Sequence, residues 1–139
     1  MKLDFSPLTN AVGQLERSLA YLNSDLARED AGLREQFRAA AIQAFEFSYE
    51  LSVKMIRRQL AAIVARPAAL HQIDFADLMR DAADAGIIRD ARTYIRYREM
   101  RNRTSHTYNA DRAEEAVVAM PGFLGDMQLL LAELEQRNA

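Results

Sequence analysis

The sequence predicts an all-α protein, an up-and-down bundle of four main helices plus a short one, on three observations. Apolar residues recur at three- and four-residue spacing toward both ends of the chain, residues 33–65 contain neither Gly nor Pro, and no window alternates with the period of two that a half-buried strand requires. With 139 residues, half of them apolar and 27% charged, the chain fits one globular domain, residues 1–139, with a single core.

The first helix follows from Phe5, Leu8, Val12, Leu15, Leu19, Leu22 and Leu26, which form one narrow stripe. Ser6 before Pro7 is its expected start, a hydroxyl cap followed by a residue suited to the first turn. The run 33–65 is rich in Ala, Leu, Glu, Gln and Arg and reads as one long helix stopped by Pro67. Asp74 opens a short helix carrying Phe75, Leu78, Met79 and Ala82 to a stop near Gly86. A fourth begins near Asp90 and runs toward Arg103, where the polar stretch 102–109 loosens it. Asp111, with Glu114 three residues on, restarts a last helix with Val117, Met120, Leu124, Met127, Leu131 and Leu134, which Pro121 and Gly122 are expected to kink or delay. The two end helices are expected to pack on the long one, and the six methionines read as core filler.

The absence of Cys removes disulfides, thiolate metal sites and cysteine nucleophiles. The N-terminus lacks the apolar region of a signal peptide, and no stretch approaches the roughly 20 apolar residues of a membrane span, so a cytoplasmic protein without a membrane partner is expected. No metal and no cofactor are expected, since His71 lies in a connector remote from His106, where it reads as an ordinary loop residue. The net charge of −2 is uneven. Residues 89–103 hold six Arg against Asp90 and Glu99, a local +4, so the remainder carries −6. Sixteen of eighteen basic residues are Arg, the residue suited to bidentate contact with phosphate or carboxylate.

That window leads into Arg101-Asn102-Arg103-Thr104-Ser105-His106-Thr107-Tyr108, an R-x4-H-x-Y sequence holding a permanent cation, a group that moves protons near neutral pH and a phenol. On a continuous helix Arg101 and His106 would stand roughly 140° apart. They converge on one substrate only if the helix ends between them or two chains contribute. Facing a phosphodiester, Arg101 would stabilise charge and His106 would act as general acid or base. A helix-end histidine beside surface arginines is the plainer account of the same letters.

The 101–108 segment resembles the signature of the HEPN superfamily. A second stretch, Gln43-Ala44-Phe45-Glu46-Phe47-Ser48-Tyr49-Glu50-Leu51-Ser52-Val53-Lys54, is similar to the Q-x-F-E…E-L-x-W-K run of its nucleotidyltransferase substrate-binding branch, related to HepT toxins. Val53 departs from the Trp of that branch. The resemblance covers essentially the whole chain and implies a helical homodimer whose paired motifs line a cleft for RNA or a nucleotide. In HepT-like members it implies RNA cleavage without metal, with Arg101 and His106 catalytic, and an MntA-like minimal nucleotidyltransferase that silences the toxin by adding AMP to Tyr108. The alternative is a non-catalytic subunit that presents a nucleotide or acceptor to the nucleotidyltransferase. Asn102, Arg103, Ser105, Glu46 and Lys54 are candidates for support or binding. Glu46, Glu50 and Lys54 share one helix face, as a solvated ion-pair ladder or as polar support for the cleft. Tyr94 and Tyr97, interleaved with Arg96 and Arg98, could stack bases, although core or dimer packing suits both better.

Overall fold

A computed structural model describes residues 2–105 and 109–139. The described residues form six α-helices and one 3₁₀ turn, with no strand: α1 Ser6–Leu22, α2 Asp25–Glu29, α3 Ala31–Ala61, a 3₁₀ turn Pro67–His71, α4 Phe75–Asp84, α5 Ala91–Thr104 and α6 Ala110–Arg137. The four long helices are the expected four, and α4 is the expected short one.

The boundaries differ where local hydrogen bonding competes with the helix. The stripe expected to reach Leu26 ends at Leu22, because Asn23 Nδ2 donates to the Leu19 carbonyl at 2.9 Å and Ser24 Oγ to the Tyr21 carbonyl at 2.5 Å. Ser24 is extended, and the separate helix α2 turns Ala27 inward while Leu26 is exposed. Ser6 does not cap α1. It is the first helical residue, and its own N–H and hydroxyl donate to Asp4 at 3.0 and 2.5 Å. The long helix α3 starts two residues early because Asp30 accepts from the amides of Gly32 and Leu33 at 2.9 and 3.1 Å, and it stops at Ala61, short of Pro67. At its other boundary Arg66 is drawn out of the helical region ahead of the proline.

Helix α4 opens on the Asp74 cap and closes at Gly86, whose φ of +79° suits glycine. Ile87 N–H reaches the Ala82 carbonyl and Gly86 N–H that of Ala83, which together satisfy the free carbonyls of the last turn. Asp90 caps α5 through the Arg92 amide and the Thr93 hydroxyl, and these two bonds, the hydroxyl first, hold its carboxyl below the usual range. Asn109, not Asp111, caps α6, accepting from the amides of Asp111 and Arg112. Glu114 is then free to pair across the bundle, with Arg34 at 2.7 Å and Arg38 at 3.0 Å. Partial burial pushes the Glu114 pKa up, but the two guanidinium partners together outweigh that and hold it below the ordinary range.

The core explains why α6 runs unbroken through Pro121. The Asn109 cap and the Glu114 pair anchor its start, while Met120, Phe123 and Met127 downstream are fully buried. That burial outweighs the roughly 3 kcal/mol an interior proline costs. Helices α1 and α6 both lie on α3, as expected. Leu8, Val12, Leu15, Leu19 and Leu22 meet the small and aromatic face of α3, and Phe123 packs edge-on to Phe45 at 4.7 Å and to Tyr97 at 4.9 Å. Tyr94 and Tyr97 are core residues, as favoured over base stacking, and the Tyr97 hydroxyl donates to Asp126. Burial, reinforced for Tyr97 by the Asp126 carboxylate, raises the pKa of both phenols.

One expectation is corrected: by length and composition alone α6 could cross a membrane. Its inner face is core, from Ala113 to Leu134, whereas its outward face is apolar too, with Val118 80% and Leu129 46% exposed.

Two outcomes follow from this packing. Phe123→Ala should lower stability by about 3–5 kcal/mol in urea unfolding, because a fully buried ring at a three-helix junction leaves a cavity. The folded pKa of Glu114 lies below its unfolded value of 4.5, so its contribution is present above about pH 4.5 and lost as the pH falls through the folded value. Stability measured against pH should therefore fall more steeply below pH 4.5 in the wild type than in Glu114→Gln.

Candidate functional site

The site is built where the last turn of α5 crosses α3. Glu46 and Glu50 lie one turn apart on α3, so their carboxylates project from the same face toward α5. Arg101 fills the space between them: Nη1 stands 2.8 Å from Glu46 Oε2, and Nη2 stands 2.9 Å from Glu50 Oε1. A longer contact, 3.4 Å, joins Nε to the same Glu50 oxygen. Thr104, one turn after Arg101 and nearly buried, places its hydroxyl 2.9 Å from Glu46 Oε2 and 2.7 Å from the Arg101 carbonyl oxygen. The guanidinium is thus oriented by two carboxylates and a hydroxyl.

The two pairs differ in weight. The side chains of Arg101 and Glu46 are 29% and 26% exposed, whereas Glu50 is 56% exposed. The Glu46 contact is the partly desolvated, stronger one, and the Glu50 contact is open to competition from solvent or from another anion. Behind them Tyr49 packs against Phe45 and Phe75, and burial pushes its phenol up to about 12 despite the positive charges of Arg98 and Arg101. Arg98 leaves the cluster and lies over the Phe75 ring, 4.9 Å from its centroid.

Of the residues singled out from the sequence, Arg101 and Glu46 are brought together. The ion-pair ladder with Lys54 is not formed among the described residues. Both carboxylates turn to Arg101 instead, so they support the motif arginine, while Lys54 is exposed and outside the cluster. Asn102 and Arg103 are exposed, and Ser105 closes α5 with its hydroxyl donating to the Asn102 carbonyl at 2.9 Å. The helix therefore ends at Thr104, between Arg101 and the histidine of the motif. His106 and Tyr108 lie outside the described residues. Among the described residues no group of three His, Asp or Glu side chains gathers as a metal site would, and His71 is exposed in the 3₁₀ turn. Glu50, placed by the sequence only on the shared face of Glu46 and Lys54, and Thr104, which the sequence does not single out, both join the cluster. Their signal was present, as Glu50 repeats Glu46 one turn on and Thr104 repeats Arg101, but which face of α5 meets which face of α3 is not written in either helix.

Comparison with known proteins sets this geometry in a lineage. The family described as nucleotidyltransferase substrate binding protein like matches residues 3–136. A protein of Haemophilus influenzae named probable ribonuclease HepT is 34% identical over 139 residues, which is 99% of this chain and 95% of that protein. The solved structure of HI0074 from the same organism, described as the fold of a substrate binding domain of a nucleotidyltransferase, superposes with a TM-score of 0.88 at 32% identity and covers 95% of this chain and 99% of its own.

Alanine at the two carboxylates should separate their weights. Glu46→Ala should cost about 1–2 kcal/mol in urea unfolding, because it removes the less exposed of the two carboxylates on the Arg101 guanidinium and one of the two oxygens within reach of the Thr104 hydroxyl. Glu50→Ala, a largely solvated partner, should stay within about 0.5 kcal/mol.

Proposed function

Because this chain belongs to the nucleotidyltransferase substrate binding protein like family, whose membership implies a nucleotidyltransferase partner, we propose that it is the HepT-like ribonuclease of a two-component pair. The observation that carries the reading is the guanidinium of Arg101, held in place by Glu46 and Glu50 at the end of α5, at the head of the R-x4-H-x-Y sequence. The likeness along its full length to a protein named probable ribonuclease HepT supports the same reading.

In this reading His106 takes the proton of an RNA 2′-hydroxyl and the freed oxygen attacks the adjacent phosphorus. The bond to the 5′-oxygen breaks, that oxygen is protonated, and the products are a 2′,3′-cyclic phosphate and a 5′-hydroxyl. Arg101 leaves Glu50, its weaker partner, to stabilise the charge that builds on the phosphoryl oxygens, while Glu46 keeps it aimed. The reaction needs no metal. Two chains pair through the outward apolar face of α6, where Val118 and Leu129 are exposed, and bring two motifs to one cleft in the cytoplasm. The partner, an MntA-like nucleotidyltransferase, silences the cleft: the Tyr108 phenol oxygen attacks the α-phosphorus of ATP, pyrophosphate leaves, and the AMP added puts negative charge beside Arg101.

A second reading is favoured by one specific observation. Arg101 already faces two carboxylates, which makes the cluster a holder of an oriented cation as readily as a catalyst. In that reading the chain presents a nucleotide or acceptor to the nucleotidyltransferase and leaves RNA intact.

RNA cleavage by the purified protein in a buffer containing EDTA decides between them. Arg101→Ala and His106→Ala should each reduce cleavage by a factor on the order of 10²–10⁴. A wild-type protein that cleaves no RNA, or variants that cleave as well as it does, would sink the ribonuclease reading. Incubation with the nucleotidyltransferase and ATP should add the mass of AMP to the wild type and not to Tyr108→Phe.

A further inference from the structure

Helices α5 and α6 enclose a second feature, a cleft of about 730 Å³ on a different side of α5 from Glu46 and Glu50. Each helix lines it with one stripe of i, i+3/i+4, i+7 spacing: Arg96, Met100 and Arg103 from α5, and Arg112 and Ala119 from α6. Its apolar lining comes from Met100, Ala116, Ala119 and the buried Tyr97. The rim is cationic. Arg96, Arg103 and Arg112 are exposed, and among the described residues none has an ion-pair partner, although Arg96 donates to the Thr93 hydroxyl at 3.3 Å. This contrasts with Arg34, Arg38 and Arg101, each of which has a carboxylate against it.

We infer that this cleft is a nucleotide subsite, holding a base against its apolar lining of Tyr97, Met100, Ala116 and Ala119 and its phosphate on the Arg96, Arg103 and Arg112 side chains. Apolar lining suits the face of a base, and planar guanidinium groups suit bidentate contact with a phosphate. Glu99 and Glu115 also reach the rim, which leaves the lining at a net +1. That balance suits a single phosphate within the cleft and disfavours an acidic peptide, and the carboxylates can accept from a base amino group. The volume lies within the range of roughly 300–1,000 Å³ usual for small-molecule sites.

The nucleotide has two possible sources. As part of RNA it flanks the scissile phosphate, since Arg96 and Arg103 stand roughly opposite Arg101 around α5 and a strand passes from one face to the other across the helix end at Thr104. As a free nucleotide it sits there alone. Only the RNA source rests on the ribonuclease reading; the subsite does not.

The test uses the full-length protein and two probes: a labelled single-stranded 2′-O-methyl RNA, which cannot be cleaved because its nucleophile is blocked, and ATP. The variants are the double substitution Arg96→Gln with Arg112→Gln, and Ala119→Trp, which fills the cleft from an exposed position. The double variant should lose RNA affinity roughly fivefold at 0.1 M salt, and its slope of log K against log salt should shrink by about 0.7, the release expected for one single-strand phosphate contact. Ala119→Trp should weaken binding about tenfold or more with an unchanged thermal midpoint. If only ATP binds and both variants lose it, the subsite stands with a free nucleotide as its occupant. If the wild type binds or cleaves RNA and neither variant changes affinity, the subsite is refuted while the ribonuclease reading survives. Binding of neither probe, or variants that alter the oligomeric mass in place of ligand affinity, overturns the inference.

Discussion

The pairing of Arg101 with Glu46 and Glu50 is the constraint that fixes how the end of α5 meets α3. It is the point where the last turn of α5 is locked to the middle of α3, directly ahead of the helix end at Thr104. The lock is polar on one side only. Beneath it lie Tyr49, Phe45, Phe123 and Tyr97, an aromatic stack that sets the distance between the two helices before any charge is considered. Hydrophobic burial positions the helices, and the charged cluster then chooses the rotation of one side chain.

The same physics gives the cluster its asymmetry. A guanidinium held by a single exposed carboxylate gains little, and one held by two buried carboxylates would be unable to serve an incoming anion. Arg101 has one partner of each kind, Glu46 partly buried and Glu50 largely solvated. Such an arrangement keeps the cation oriented when one partner is exchanged for a phosphate oxygen. On the far side of α5 the arginines have no such partners among the described residues, so one helix carries a restrained cation on one face and unrestrained ones on another.

Helix α6 shows how tertiary packing overrides local preference. It contains a proline in its interior, an acid at Asp126 in its middle and apolar residues on nearly every face, a combination that reads alternately as a broken helix or a membrane segment. In the bundle Asp126 receives the Tyr97 hydroxyl, the inner apolar face meets the core, and the first turn is tied by Glu114 to Arg34 and Arg38. Each local liability has a partner from another helix. The outward apolar face, at Val118 and Leu129, has none among the described residues.

The sequence by itself determined that the chain is helical and where most helices lie, and it singled out the eight-residue run 101–108. Those features are local: a three-four spacing, an Asp at positions 74 and 90 that caps its own helix, a glycine at 86 that ends one, and a string of side chains read in order. The misplaced boundaries were local as well, but they turned on Asn23, Ser24, Asp30 and Asn109, small polar residues whose side chains compete for backbone hydrogen bonds in ways that spacing does not show. Only the tertiary structure decided that Glu46 and Glu50 serve Arg101 and not Lys54, that Glu114 serves α3, and that Arg96, Arg103 and Arg112 share one cleft. Each of these depends on the rotation and axial offset of one helix against another. Those quantities are set jointly by all the buried side chains, and no single stretch of sequence contains them.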